Sequence, residues 1–149
     1  MLALTFQVGA DRVAIDVRQV RRVVPLVRLS AAPAEVPALA GVFVYRGQVV
    51  PVVDLFRLAG AGTCPTQLSS RIILVPYPRG TDGLVGLLAS QVADIRELST
   101  PDAPYRTTAQ GLGPPLPDGA AVIRLLDANQ LLDSLALETV LSIRPGAEA

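Results

Sequence analysis

The sequence predicts a mostly β protein built from two similar β-subdomains. Three observations carry that prediction. Short apolar runs rich in Val and Leu recur along the chain, separated by clusters of Gly, Pro and Asp, as in strand-and-turn proteins. The residues are 50% hydrophobic but only 4% aromatic, enough apolar material for a buried core in a 149-residue chain. The chain also echoes itself. "VAIDVRQVRRVV" from Val13 matches "VGLLASQVADIR" from Val85 at an offset of 72, which pairs Gln19-Val20 with Gln91-Val92. "VVPVVDLFRL" from Val49 matches "VIRLLDANQL" from Val122 at an offset of 73, which pairs Asp54 with Asp127. Two segments with nearly one offset point to duplication; chance matching of apolar runs is the alternative.

The elements follow in order. "LALTFQVG" (2–9) and "DRVAIDV" (11–17) read as a hairpin around Gly9-Ala10. "VRQVRRVV" reads as one helical turn entering a strand, and "RRVVPLVRLSA" as an edge strand because Pro25 lacks a donor. "APAEVPALAG" reads as a loop. "GVFVY" and "QVVPVVDL" flank a tight turn at Arg46-Gly47, and "DLFRLAG" is a short helix capped by Asp54 and ended by Gly60. "RIILVPYP" (71–78) is a strand, and "LVGLLASQVADIREL" (84–98) holds one or two. Residues 99–119, rich in Pro, Gly and Thr, read as a long surface loop. "AAVIRLLD" is a strand, and "DANQLLDSLALETVL" is the longest helical candidate, with Asp127 and Gln130 in capping-box spacing.

Composition excludes several functions. All 13 basic residues are Arg, and the chain has no Lys, His or Trp. Without His the usual general base, proton shuttle and imidazole metal ligand are missing. The lone cysteine, Cys64, rules out an internal disulfide and a cysteine zinc site, and it has no histidine to activate it. No phosphate-binding glycine motif or nucleophile elbow occurs, so no cofactor, metal or catalytic residue is expected. Zero net charge argues against nucleic acid as a partner. The charge is uneven, however: net +4 over residues 1–75 and −4 over 76–149. No stretch of about 18 apolar residues suggests membrane insertion. The N-terminus lacks a basic secretory n-region, so the expected compartment is the cytoplasm. The protein reads as one that works by contact.

The stretch "GVFVYRGQVVPVVDLF" (41–56) concentrates these features. Gly47 supplies the freedom a tight turn needs. Pro51 must face an edge, a bulge or a bend. Asp54 caps the next helix. None of this requires an arginine at position 46.

From about residue 4 to residue 133 the chain resembles the CheW-like domain, the adaptor module of bacterial chemosensory systems. Gly41-Val42, Arg46-Gly47 and Val50-Pro51-Val52-Val53-Asp54-Leu55 carry the resemblance most strongly. It implies a single CheW-like domain over 1–149 with two SH3-like five-stranded β-barrels. About 13–70 would form the first, with part of the N-terminal strands exchanged, and about 71–133 the second; 134–149 would be a C-terminal helix and tail. It also implies a non-catalytic adaptor that couples a CheA-type histidine kinase to the cytoplasmic hairpin of a chemoreceptor, recruited to membrane-bound receptor arrays.

Carried over residue by residue, the resemblance places Arg46, Val20, Arg22 and Tyr45 at the receptor-facing groove. Apolar positions Leu39, Val42 and Phe56 would contact the kinase; core burial explains these three, and Val20, equally well. The chain departs from the family pattern at several positions. Arg22 stands where the family usually has Glu, Val44 where it has Asn, and Ser90 where it has Asp. The region 99–121 is short enough to have lost a strand. These departures suggest a non-flagellar chemosensory pathway. Two other classes stay open: a self-assembling structural subunit that forms rings or homodimers through its barrel edges, with weak self-association as its sign, and a small-ligand sensor or an enzyme with a pocket between the subdomains.

Overall fold

The computed structural model describes residues 1–31, 36–99 and 112–135. Within them run β1 (Leu2–Val8), β2 (Asp11–Asp16), a 3-10 turn (Val17–Gln19), β3 (Arg22–Pro25), β4 (Leu39–Tyr45), β5 (Gln48–Asp54), α1 (Leu55–Leu58), β6 (Arg71–Pro76), β7 (Leu84–Glu97), β8 (Leu112–Asp118), β9 (Ala121–Leu126) and α2 (Ala128–Ser134). The expected helix and tail beyond Leu135, and residues 100–111 of the expected loop, lie outside the described residues.

The strands form two SH3-like five-stranded barrels that share β7. The first half of β7 pairs with β6 and β5, and its second half pairs with β1. Between the halves the chain bends at Gln91, whose φ is +50°. The middle of the chain thus builds a central barrel from β3, β4, β5, β6 and the first half of β7. The two ends of the chain build a terminal barrel from β1, β2, β9, β8 and the second half of β7. The division expected near residue 70 falls between β5 and β6, inside the central barrel. Hydrophobic pattern marks a strand but does not say which barrel it joins.

The internal echo is structural. β5 pairs in parallel with β7 at Val52↔Gly86, and β9 pairs in parallel with β2 at Leu125↔Ala14. Those pairs superpose under the same offsets of 72 and 73 that the sequence shows. Asp54 and Asp127 each follow the last strand of their unit and cap a helix, α1 and α2. The cap on α2 is fuller than a plain one: Asp127 accepts from the backbone N–H of Asn129 and Gln130, and the Gln130 amide donates back to its carboxylate at 3.3 Å.

One expectation is corrected. Part of the expected 99–119 loop is strand β8, "LGPPLPD", the equivalent of β4 under the repeat, so the terminal barrel keeps its strand. Its three prolines suit it to the outermost place in the sheet, where among the described residues it pairs only with β9. The same chemistry that reads as a loop in sequence blunts a sheet edge in space. Pro25 sits likewise in an outermost strand, β3.

Each barrel is tied shut. In the central barrel Ser30 and Val42 exchange both backbone hydrogen bonds, at 2.8 and 2.9 Å. Val42 also lies opposite Pro51 in the β4–β5 ladder. Its N–H and C=O point away to Ser30, so this pair needs no donor from the proline. In the terminal barrel the Arg96 guanidinium forks onto the Asp118 carboxylate, with one arm at 2.6 Å, joining the ends of β7 and β8.

Strands β1 and β2 of the terminal barrel are buried on both faces over Ala3–Phe6 and Val13–Ile15. Ala3, Ala14, Ile123 and Leu125 point into that barrel. Leu4, Phe6, Val8, Val13, Ile15 and Leu126 point into the main core, which they share with the central barrel and with Leu131 and Leu132 of α2. Cys64 is part of that core, and burial pushes its thiol up to about 11, so it is held as an unreactive thiol.

Candidate functional site

The β4–β5 hairpin turns through Arg46 and Gly47, with φ of +49° and +78°. Two central residues at positive φ make a type I′ turn, which favours Asn, Asp or Gly at its first position. An arginine there costs about 1 kcal/mol of backbone strain. The turn did not select it.

Its side chain is held in place. The Arg46 guanidinium carbon lies 5.3 Å from the centroid of the Tyr45 ring, and Tyr45 meets Phe43 edge-on at 6.4 Å. Phe43 and Tyr45 share one face of β4 by the period of two, so the cation rests at the end of a short aromatic row.

Beside this turn is a hollow of about 350 Å³ at one end of the central barrel, where strand ends converge. Arg21, Arg22, Tyr45, Arg46, Gln48 and Asp82 line it. Arg21 and Arg22 arrive at the start of β3, fixed by the Arg21 N–H on the Leu74 carbonyl at 2.7 Å and by the register Arg22↔Leu74. Gln48 pins the opposite wall. Its amide donates to the Asp82 carbonyl at 3.2 Å and accepts from the Leu84 N–H at 2.9 Å.

The structure therefore brings together Arg22, Tyr45 and Arg46 from distant segments. Val20 is not among the residues lining the hollow: it closes the 3-10 turn and packs against the main core. Leu39 and Phe56 are 6% and 7% exposed and belong to that core. Val42 is half-buried beside the barrel seam. Sequence reasoning missed Arg21, Gln48 and Asp82. The Arg21-Arg22 doublet was a usable signal; Gln48 and Asp82 belong to the site only through a contact 34 residues apart.

Another hollow, of about 330 Å³, lies where the barrels meet and includes Asp16, Arg18, Gln19 and Asn129. Two of its charges pair, with Arg18 binding Asp16 at 2.7 Å and holding that carboxyl below the usual carboxylate range, and Arg79 also lines it. Among the described residues no group of three or more His, Cys, Asp or Glu could hold a metal, and no helix is long and apolar enough to cross a membrane.

Comparison with known proteins agrees with this geometry. The family model of the CheW-like domain matches residues 2–136. The chain belongs to the CheW-like family. A relative, the chemotaxis protein CheW of Bacillus subtilis (strain 168), is 26% identical over 133 residues, covering 87% of this chain and 85% of its own. The crystal structure of the scaffolding protein TtCheW from Thermoanaerobacter tengcongensis has the same fold, with a TM-score of 0.73 at 19% identity over 88% of this chain and 86% of that one.

Proposed function

We propose that this CheW-like chain is a non-catalytic chemosensory adaptor. It couples a CheA-type histidine kinase to the cytoplasmic hairpin of a chemoreceptor, and the Arg46 turn is its receptor-facing element. One observation carries the reading. An arginine occupies a left-handed turn position that disfavours it, and its head is stacked on Tyr45 at the mouth of a hollow. Strain kept at an exposed position supports a binding role. Membership of the family and the chemotaxis relative support the pathway. The charge reversal at Arg22 supports a receptor distinct from that of the main flagellar system.

The test is co-purification with each CheA-type kinase and each receptor signalling domain of the source genome. Arg46→Glu is expected to lose the receptor at least tenfold while keeping the kinase and the wild-type circular dichroism spectrum. Equal receptor capture by both proteins would remove Arg46 from the interface. Capture of neither partner by wild type would end the adaptor reading.

Self-assembly is the second reading, and the barrels themselves favour it. The segment 21–89 carries seven arginines against Asp54 and Asp82 among its described residues. The described residues outside it carry four arginines against seven carboxylates. Opposite charges on the two barrels suit head-to-tail contact. Size-exclusion chromatography is then expected to show a defined oligomer at low salt that dissociates at about 0.5 M, where screening is strong. A monomer at every salt concentration would exclude it.

A further inference from the structure

We infer that the hollow beside the Arg46 turn reads carboxylates: the receptor segment it takes is a helix presenting Glu or Asp toward Arg21 and Arg22. This deepens the adaptor reading and rests on it for the identity of the partner. Three guanidinium groups, of Arg21, Arg22 and Arg46, line one concave surface whose single acidic lining residue is Asp82. Among the described residues none of the three has a carboxylate within ion-pair distance, although the other ion pairs on this molecule are made by Arg18, Arg57 and Arg96. Asp82 is held through its backbone carbonyl by Gln48, and no bond of its carboxylate to these arginines is formed.

Like charges gathered in one hollow repel each other, and an anionic occupant relieves that repulsion. Guanidinium forks match carboxylates and phosphates in two parallel hydrogen bonds, and of these the group a receptor helix carries is the carboxylate of Asp or Glu. A helix fits because Arg21 and Arg22, adjacent at the start of β3, both line the hollow. Together with Arg46 across the hollow they can meet acids one turn apart, at i and i+4 on a single helix face. The tyrosine and Leu84 supply the apolar contact between those charges. Arg22, where the family usually has Glu, becomes the specificity-determining residue: it admits a partner that a glutamate would repel and repels a partner basic at that point.

The probes are three helical peptides, identical except for Glu, Gln or Lys at i and i+4, with binding read by fluorescence anisotropy at 50 and 300 mM NaCl. The Glu peptide is expected to bind at least tenfold tighter than the Gln peptide at low salt and to weaken severalfold at high salt, with no binding of the Lys peptide. Arg21→Glu/Arg22→Glu is expected to reverse the order, favouring Lys. That gain cannot come from a misfolded protein. Equal binding of Glu and Lys peptides, or no reversal in the double variant, overturns the inference. So does displacement of the Glu peptide by equimolar inorganic phosphate, or co-sedimentation with anionic vesicles in the absence of Glu-peptide binding.

The two readings fail separately. A native receptor domain that binds wild type and the double variant equally would sink the carboxylate inference and leave the adaptor. Peptide discrimination without capture of any native receptor would do the reverse.

Discussion

Replacing Asp54 with alanine is expected to lower the free energy of unfolding by about 3 kcal/mol, the scale of a buried side chain whose loss strands its partners. Asp54 is fully buried. One carboxylate oxygen accepts the Phe56 N–H at 2.9 Å and starts α1; the other accepts the Cys64 N–H at 3.0 Å and fastens the loop that follows. Alanine leaves both donors without an acceptor in a place water does not reach. The ion pair with Arg57 at 3.5 Å contributes little, because that arginine is 39% exposed and screened by solvent. Three variants separate the terms by urea unfolding. Asp54→Asn keeps one acceptor and is expected to cost about half as much as Asp54→Ala. Arg57→Ala is expected to cost less than about 1 kcal/mol. An Arg57→Ala loss equal to that of Asp54→Ala would assign the stability to the ion pair instead.

The repeat was legible in the sequence because both units keep the same local needs: an apolar strand buried on both faces, then an aspartate whose side chain starts a helix. The Arg46-Gly47 turn was legible for the same reason, since turn chemistry is local. Strand β8 was not, because prolines mark loops and sheet edges alike, and only the pairing with β9 tells them apart. Nor could pattern alone assign β6 and the first half of β7 to the central barrel, since that depends on a single bend at Gln91 far from their partners. At the site, Arg46 and Arg22 were found through the resemblance. Arg21, Gln48 and Asp82 escaped it because their roles arise from three strand ends meeting. Leu39 and Phe56 show the converse: of the two readings the sequence left open, contact and core, the structure places both residues in the core.

Gly41→Ala is expected to destabilise the protein by about 3 kcal/mol and to weaken receptor binding without touching the hollow. Gly41 has φ of +155°, at a register shift in the β4–β5 ladder between Leu39 and Gly41. A Cβ at this position would stand 2.5 Å from the Ser30 carbonyl oxygen and 2.8 Å from the Leu29 Cβ. Backbone cannot yield as a flexible side chain can, so the strap carrying Leu29 and Ser30 must move away from β4. That strap holds the Ser30–Val42 hydrogen bonds that close the central barrel. It also continues from β3, which begins with Arg22, while β4 ends at Tyr45. Loosening the seam therefore loosens the two walls of the hollow against each other. Gly47→Ala is the matched control: its φ is also positive, at +78°, but a Cβ there meets nothing within 4 Å. It is expected to cost only about 1 kcal/mol. Amide hydrogen exchange at Ser30 and Val42 should accelerate in Gly41→Ala and stay slow in Gly47→Ala. Equal costs and equal exchange in the two variants would mean that the seam does not hold the hollow together.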